Sequence, residues 1–197
     1  MASPTLLVHA CCAQCLAAIL DPLRRLGYWA AFFYNPNIQP LLEFRRRAKS
    51  LHVLAEREQW TLMADERYDV RGFLRTVPWD RPERCLACYR MRLEETARVA
   101  VEKGFSAMTT TLLASEHQDH EAVRRLGEEA AAGRGLGFHY ENWRALAERG
   151  REEAKRRSLY RQQYCGCLFS EEERFAPTSL HLYRGGSAAD RSEKGET

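Results

Sequence analysis

Short apolar runs alternate with longer amphipathic segments along most of the chain, and this alternation limits the fold to one class. The runs at 5–9, 28–34, 60–64, 105–113 and 137–141 have the length and the β-branched or aromatic content of strands. Strands that alternate with helices of ten or more residues form βαβ units with parallel strands. The sequence therefore predicts an α/β fold with a mostly parallel sheet, a three-layer Rossmann-like sandwich with extra C-terminal helices.

Helical patterns fill the spaces between the predicted strands. The predicted helices are 13–26, 40–59, 69–77, 83–103, 115–132 and 143–160. A chain of 197 residues suits one domain, so we expect a single domain over 1–184. From Gly185 the sequence is small and polar, which predicts a disordered tail over 185–197.

Charge and hydropathy restrict the partners and the compartment. The chain has 30 Lys and Arg against 27 Asp and Glu, but basic residues are concentrated at 42–49 and 144–157. These clusters suit either a face that follows phosphates or ordinary solvated helix surfaces. No apolar run approaches the roughly 20 residues that span a bilayer, and the first run lacks a basic flank. We expect a cytoplasmic protein without a membrane partner.

Seven cysteines fall into three groups, and an odd number in a reducing compartment argues against a disulfide framework. The spacing of three residues in the first two groups places thiols on one face at a helix start, where the helix dipole is expected to lower thiol pKa values. Four thiolates suit either a zinc site or an iron–sulfur cluster. The groups are Cys11, Cys12 and Cys15; Cys85 and Cys88; and Cys165 and Cys167.

The last pair, Cys165 and Cys167, encloses a single glycine. A disulfide across one residue closes a small strained ring, and strain makes such a bond easy to reduce. This spacing favours a redox-active dithiol, with metal ligation as the alternative.

The position of the first two groups also points to function. Ligands of open parallel sheets bind beyond the carboxyl ends of the strands. Cys11 and Cys12 follow the first predicted strand, Asn35 follows the second, and the segment 115–120 follows the fourth. We expect these residues to share one rim of the sheet.

Five sequence blocks resemble the QueH-type epoxyqueuosine reductases. They occur in the family's order and are LLVHACCAQC, FFYNPNIQP, RCLACYRMRLEETA, TTTLLASEHQDHE and LYRQQYCGCLFS. The resemblance implies a fold related to ATP-pyrophosphatase and HUP-type domains. It also implies a [4Fe-4S] cluster and the reduction of epoxyqueuosine to queuosine at the wobble position of tRNAs with GUN anticodons, the acceptors for Asp, Asn, His and Tyr.

The same resemblance assigns roles to the cysteines. The residues that match the cluster ligands are Cys11, Cys12, Cys85 and Cys88. Cys165 and Cys167 match the redox-active pair of the family. Cys15 matches the last cysteine of the first block, where it is either a ligand of one additional iron or a neighbour of the cluster.

The implied reaction sets further requirements. Converting an epoxide to an alkene releases water and consumes two electrons and two protons, whereas a [4Fe-4S] centre moves one electron at a time. We therefore expect the Cys165–Cys167 dithiol to supply the second equivalent, with an electron donor that the sequence does not identify. Asp119, His120 and Tyr164 are candidate proton donors, although His120 also fits an exposed helical histidine.

Recognition of tRNA requires contacts with the base and the phosphates. Asn35 and Asn37 are candidates for substrate contacts, although an Asn-Pro-Asn turn needs no substrate to explain it. The further candidates are Tyr34, Gln118 and Arg161, and the basic residues expected to contact phosphate are Arg45, Arg46, Arg47, Arg156, Arg157 and Arg161.

Two alternatives to this function remain. One is a zinc-stapled RNA-binding module without catalysis. The other is a nucleotide-dependent enzyme of the pyrophosphatase type, which needs a phosphate-binding loop where this chain has cysteines.

Overall fold

The structure, a computed structural model, describes residues 5–178. The predicted tail 185–197 and the last residues of the predicted domain 1–184 lie outside the described residues. Within them, five parallel strands form one sheet in the order β3-β2-β1-β4-β5. The strands are β1 Leu6–His9, β2 Trp29–Phe33, β3 Leu62–Ala64, β4 Ala107–Thr110 and β5 Gly137–Phe138.

Seven α-helices connect and cover these strands in the described part of the chain. They are α1 Ala13–Arg25, α2 Leu41–Glu58, α3 Val70–Thr76, α4 Arg84–Glu102, α5 His120–Ala132, α6 Ala147–Arg156 and α7 Leu168–Phe175. Two short 3-10 helices, Thr111–Ala114 and Arg144–Leu146, follow β4 and precede α6.

The three central strands β1, β2 and β4 are buried on both faces, as expected for a parallel sheet covered by helices, whereas the edge strands β3 and β5 are partly exposed. Leu7, Ala30 and Phe32 pack with Val99 and Ala100 of α4 on one face. Residues of β1 and β2 on the other face join the main core with α1 and α2. The prediction of a three-layer Rossmann-like α/β sandwich is confirmed.

The strand order places a crevice beside β1. The chain builds β2 and β3 on one side of β1, then crosses to β4 on the other side. The register aligns Val8 with Ala31 of β2 and with Thr109 of β4. At such a point of reversal, the connections after two neighbouring strands leave in opposite directions and open a ligand crevice. The segments that follow β1 and β4 therefore form its walls.

The segment after β4 differs from its prediction. The predicted strand 105–113 ends at Thr110, because the Thr110 hydroxyl accepts a hydrogen bond from Leu112 N (3.1 Å) and starts the 3-10 turn. The helix predicted from residue 115 begins only at His120, since the Asp119 carboxylate caps it by accepting from Ala122 N (3.0 Å). The crevice gains a loop of five residues, 115–119.

The C-terminal third also differs. The predicted strand 137–141 covers only Gly137–Phe138, and the helix predicted over 143–160 shortens to α6 after a 3-10 turn. Helix α7 was not predicted, and its amino end is capped by the Cys167 sulfur, which accepts from Ser170 N at 3.4 Å. Cysteine is not among the preferred capping residues, so the sequence carried no ordinary start signal for this helix. No helix within residues 5–178 is long and apolar enough to cross a membrane.

Helix α6 packs closely against α1, the helix that follows the first cysteines. A Cβ atom at Gly150 of α6 would lie 2.8 Å from Gln14 O and 2.9 Å from the Ala18 Cβ. Because a backbone carbonyl cannot rotate away, the two helices require glycine at this position.

We expect Gly150→Ala to lower the free energy of unfolding by about 1–3 kcal/mol, because the added methyl group must push α6 away from α1. Urea denaturation measures the change. The matched control is Gly133→Ala at the end of α5, where the nearest atom to a new Cβ, Glu129 O, lies 3.4 Å away. An equal loss in both variants would contradict the packing argument.

Candidate active site

A cavity of about 580 Å³ occupies the crevice at the carboxyl end of β1. Its volume is typical of small-molecule sites. Polar residues from six parts of the chain line it, and those that matter most for the chemistry are Cys11, Cys15, Arg47, Arg92, Gln118 and Cys165. The cavity therefore joins cysteines of the first and third groups to two arginines.

The sulfur atoms of Cys11, Cys12 and Cys15 lie within 4.8 Å of one another and can hold a metal ion. The Cys12 sulfur caps α1 by accepting from Cys15 N at 3.3 Å. The Cys11 backbone and thiol both contact the Thr111 hydroxyl, at 3.0 and 3.2 Å. Gln162 Nε2 donates to the Cys12 sulfur at 2.9 Å. The strand end, the helix start and the loop after β4 together fix this group.

The three thiols differ in acidity. Hydrogen bonds from Cys12, Cys15 and Thr111 outweigh burial at Cys11 and hold its pKa well below the usual range. Burial raises the pKa of Cys12, and the hydrogen bond with Cys11 raises that of Cys15. Negative charge in this group therefore collects first on Cys11, the thiol that is best supplied with donors.

The other four cysteines line a second, narrow cavity of about 30 Å³. This narrow cavity brings together the second and third cysteine groups, Cys85, Cys88, Cys165 and Cys167. Arg92, Gln118 and Cys165 line both cavities, so the two cavities adjoin. Cys15 lies with Cys11 and Cys12, as the spacing in the sequence predicts.

The expectation that the helix dipole lowers the thiol pKa values of Cys85 and Cys88 is wrong for this structure. Burial raises the pKa of both thiols, that of Cys88 to about 12. Burial also raises the pKa of Cys165. Desolvation of the thiolate dominates here because Cys88 lies inside the protein rather than at an open helix end.

Gln39 attaches the Cys165–Cys167 segment to the chain after β2. Its backbone N donates to Gly166 O at 2.8 Å, and its Oε1 accepts from Leu168 N at 3.3 Å. Its carbonyl oxygen accepts a hydrogen bond from the Tyr164 hydroxyl at 2.6 Å. The loop before α2 therefore sets the position of the dithiol segment, and the Tyr164 hydroxyl is engaged in holding it.

The middle residue of this segment also fits only as glycine. Gly166 has a φ of +142°, a conformation that residues with side chains rarely adopt. A Cβ atom there would lie 3.1 Å from Ile38, 3.2 Å from Asn37 Nδ2 and 3.3 Å from Arg47 Nη1. The segment is pressed against α2 and the loop before it.

A buried ion pair on α2 holds the same segment. Arg47 Nε donates to Glu43 Oε1 at 2.7 Å, and both side chains are at most 5% exposed. Arg47 Nη1 and Nη2 donate to the carbonyl oxygens of Cys165 and Tyr164, at 2.8 and 3.0 Å. Tyr160 donates its hydroxyl hydrogen to Glu43. The prediction that Arg47 contacts phosphate is therefore wrong, because its guanidinium is buried and donates its hydrogen bonds to Glu43, Cys165 and Tyr164.

The remaining predicted phosphate contacts have different environments. Arg156 and Arg157 form ion pairs with Glu153, and Arg157 also pairs with Glu58, so much of their charge is already compensated. Arg46 lies over the Tyr160 ring. Arg45 borders a separate groove that is also lined by Lys49 and His52. Arg161 is exposed and lines the main cavity.

Of the predicted substrate contacts on the loop after β2, two are buried near the site. Asn35 Nδ2 donates to Ala10 O at 2.9 Å, and Asn37 lines the narrow cavity. The Oδ1 atoms of both are buried without a hydrogen-bond partner in residues 5–178. Tyr34 stacks on Phe32 and packs with the α4 side of the sheet, and it lines neither cavity.

Among the candidates on the loop after β4, Gln118 is the one that lines the site. Its Nε2 lies 3.5 Å from the Cys165 sulfur. Asp119 caps α5, and His120 is buried with its Nε2 3.1 Å from the Tyr140 hydroxyl. Neither Asp119 nor His120 lines either cavity.

Sequence reasoning missed two interior groups, Gln39 and Arg92. Gln39 has no local signal, since its role depends on a contact across the fold. Arg92 had one: Cys85, Cys88 and Arg92 follow the i, i+3, i+7 spacing of one helix face. The spacing of the cysteines by itself does not point to the arginine on the same face.

The fold and the site define a class of protein, a Rossmann-like α/β protein whose switch-point crevice is lined by cysteines. A sequence model of the family described as epoxyqueuosine reductase QueH matches residues 6–173.

Relatives of that name cover most of the chain. The protein from Dehalococcoides mccartyi is 34% identical, over 88% of this chain and 96% of its own length. The one from Thermotoga maritima is 32% identical, over 86% and 92% respectively. The one from Histophilus somni is 34% identical, over 84% and 71%. The chain belongs to the epoxyqueuosine reductase QueH family.

We expect Arg47→Met to lower the free energy of unfolding by about 3–5 kcal/mol, because it leaves the Glu43 carboxylate buried without its counter-charge. Chemical denaturation monitored by circular dichroism measures the loss. The double variant Arg47→Met/Glu43→Leu should recover part of it, since no unpaired charge remains. If the loss in the double variant equals the sum of the losses in Arg47→Met and Glu43→Leu, the ion-pair interpretation is contradicted.

Proposed function

We propose that this protein reduces epoxyqueuosine to queuosine at the wobble position of tRNAs with GUN anticodons, the acceptors for Asp, Asn, His and Tyr. The observation that carries the proposal is the family membership over residues 6–173 together with six cysteines that line two adjoining cavities and a seventh, Cys12, beside Cys11 and Cys15. The main cavity, about 580 Å³, has room for a modified base.

The thiols suit a metal centre, because Cys11, Cys12 and Cys15 can converge on one ion and thiolates are the ligands of iron–sulfur clusters. We propose Cys11, Cys12, Cys85 and Cys88 as the ligands of a [4Fe-4S] cluster, with Cys15 available to an additional iron. Arg92 lines both the cavity that contains Cys11 and the cavity that contains Cys88, which supports a common site for the two groups. When bound, the cluster supplies single electrons from a donor.

The Cys165–Cys167 pair matches the demands of the reaction. Removing the epoxide oxygen as water requires two electrons and two protons, and a dithiol that closes to a disulfide releases two of each. We propose that this pair delivers reducing equivalents and is then reduced again by the electron donor. Gln118, beside the Cys165 sulfur, is positioned to contact the substrate at the same point.

Residues on the cavity wall supply the remaining contacts in this proposal. Asn37 lies beside Gly166 of the dithiol segment. Its buried Oδ1 and that of Asn35 have no hydrogen-bond partner within residues 5–178. Arg161 lines the main cavity and adds positive charge where the tRNA backbone would enter. Arg151 lines the same cavity, but its charge is compensated by Glu116 and Glu148. Asp119 and His120 remain candidate proton donors, although their hydrogen bonds to α5 and Tyr140 turn them away from the cavities.

We expect Cys165→Ser to abolish turnover of epoxyqueuosine-containing tRNA while iron content stays unchanged, because serine cannot close the disulfide. Anaerobic incubation with the reduced protein, followed by mass analysis of the nucleosides, measures queuosine formation. Full activity in this variant would refute the role of the dithiol.

The matched control is Glu172→Ser, an exposed position on the adjacent helix α7. It should keep wild-type activity. A colourless wild-type protein that holds a single zinc, instead of about four irons, would support the zinc-stapled alternative.

We also expect affinity for the tRNA to fall with salt, and Arg161→Ala to reduce the slope of log K against log salt by about 0.7–0.9, the contribution of one phosphate contact. Filter binding over a range of salt concentrations measures the slope. The control Arg134→Ala removes an exposed charge from the turn before β5, at the amino ends of the parallel strands and so away from the cavity at their carboxyl ends. Equal slopes for wild type and Arg161→Ala would remove Arg161 from the interface.

A further inference from the structure

Arg92 occupies the place where the three cysteine groups meet. It lies on α4 and is 1% exposed, yet it lines both cavities. The thiols whose charges act on it most strongly are Cys88, Cys165 and Cys11, one from each cysteine group.

The guanidinium of Arg92 lacks the partner that a buried charge normally requires. Its Nε donates to Cys88 O at 3.2 Å, and its carbon lies 5.7 Å from the centre of the Tyr89 ring. Its Nη2 is buried without any hydrogen-bond partner in residues 5–178. A buried cation without a counter-charge costs several kcal/mol, so this position is unfavourable unless negative charge is supplied beside it.

The contrast with Arg47 identifies the missing partner. Arg47 is equally buried, but Glu43 and two carbonyl oxygens satisfy its guanidinium. Arg92 shares the narrow cavity with Cys85, Cys88, Cys165 and Cys167, and no carboxylate is among the described residues that line it. The anion that Arg92 requires must therefore reside on sulfur.

We propose that Arg92 is the counter-cation of the thiolate centre and holds the negative charge that each electron adds to it. The inference rests on the proposed metal and redox function. Reduction by one electron makes the centre more negative by one charge, and a cation fixed in a low-dielectric interior stabilises that reduced state more than the oxidised one. Arg92 thereby raises the reduction potential of the centre and acts as a positioning residue, through the sulfur atoms rather than on the substrate.

The local sequence supports this role. Arg92 lies four residues after Cys88 and seven after Cys85, so one face of α4 carries the two thiols and the cation together. Any movement of α4 shifts all three side chains as a unit. The charge relationship is therefore built into a single rigid element.

The test compares Arg92→Met, Arg92→Gln and Arg92→Lys in anaerobically prepared, iron-loaded protein without substrate. The midpoint potential is measured by titration with dithionite, monitored by visible absorbance and electron paramagnetic resonance. We expect both neutral variants to shift the potential to more negative values and the lysine variant to restore most of the shift. The control Arg90→Met removes an exposed arginine of the same helix that pairs with Glu94 and Glu129, and should leave the potential unchanged.

The iron content of the variants shows whether the site requires the positive charge of Arg92 or only the shape of its side chain. If the two neutral variants lose their iron while Arg92→Lys retains it, the requirement for a positive charge is supported. Loss of iron in all three variants would overturn the proposal, because shape alone would then explain the effect. An unchanged potential in iron-loaded Arg92→Met or Arg92→Gln would overturn it as well, as would a wild-type protein that binds no iron.

The measurement is independent of the proposed substrate. If wild type converts epoxyqueuosine but its potential does not depend on Arg92, the role of Arg92 fails and the enzymatic function stands. If the potential depends on Arg92 but epoxyqueuosine-containing tRNA is not converted, the proposed activity fails and the counter-cation stands.

Discussion

The parallel pairing of β1 between β2 and β4 is the constraint on which the rest of the site depends. His9, at the carboxyl end of β1, fixes both neighbours: its Nδ1 lies 2.8 Å from the Thr110 hydroxyl and its Nε2 lies 3.2 Å from Tyr34 O. Burial lowers the pKa of His9 to about 4, with the charge of Arg92 acting in the same direction, so the ring stays neutral near pH 7. The loops with Cys11, Asn35 and Thr111 all start from strand ends that this neutral ring ties together.

The two buried arginines of the site have different electrostatic partners. Arg47 is neutralised by Glu43 and serves to anchor the dithiol segment on α2. Arg92 lines the narrow cavity with four cysteines, and no carboxylate is part of that lining within residues 5–178. A protein core tolerates an ion pair far better than a lone cation. The charge of Arg47 is therefore neutralised by the polypeptide itself. Burial of the Arg92 charge becomes favourable only when the thiols near it are ionised.

The fold class could be predicted because strand and helix periodicities are local properties of the sequence. The cysteines could be assigned to a rim for the same reason, since strand ends mark the rim of any parallel sheet. Long-range packing decided the rest. Nothing near Arg47 in the chain indicates that it faces inward onto Cys165, 118 residues away. The predicted lowering of the thiol pKa values was wrong for a related reason. Burial depends on the whole fold, and at Cys88 it raises the pKa by more than the helix dipole lowers it.

Gly166 limits how this protein can vary. In many dithiol sites the residue between the cysteines is free to change, and such changes adjust how readily the bond forms. Here a positive φ and close contacts with Ile38, Asn37 and Arg47 exclude every larger side chain. Adaptation to a different cellular reductant must therefore come from the surrounding wall, and an engineer who wishes to retune the pair should alter its neighbours and leave the glycine in place.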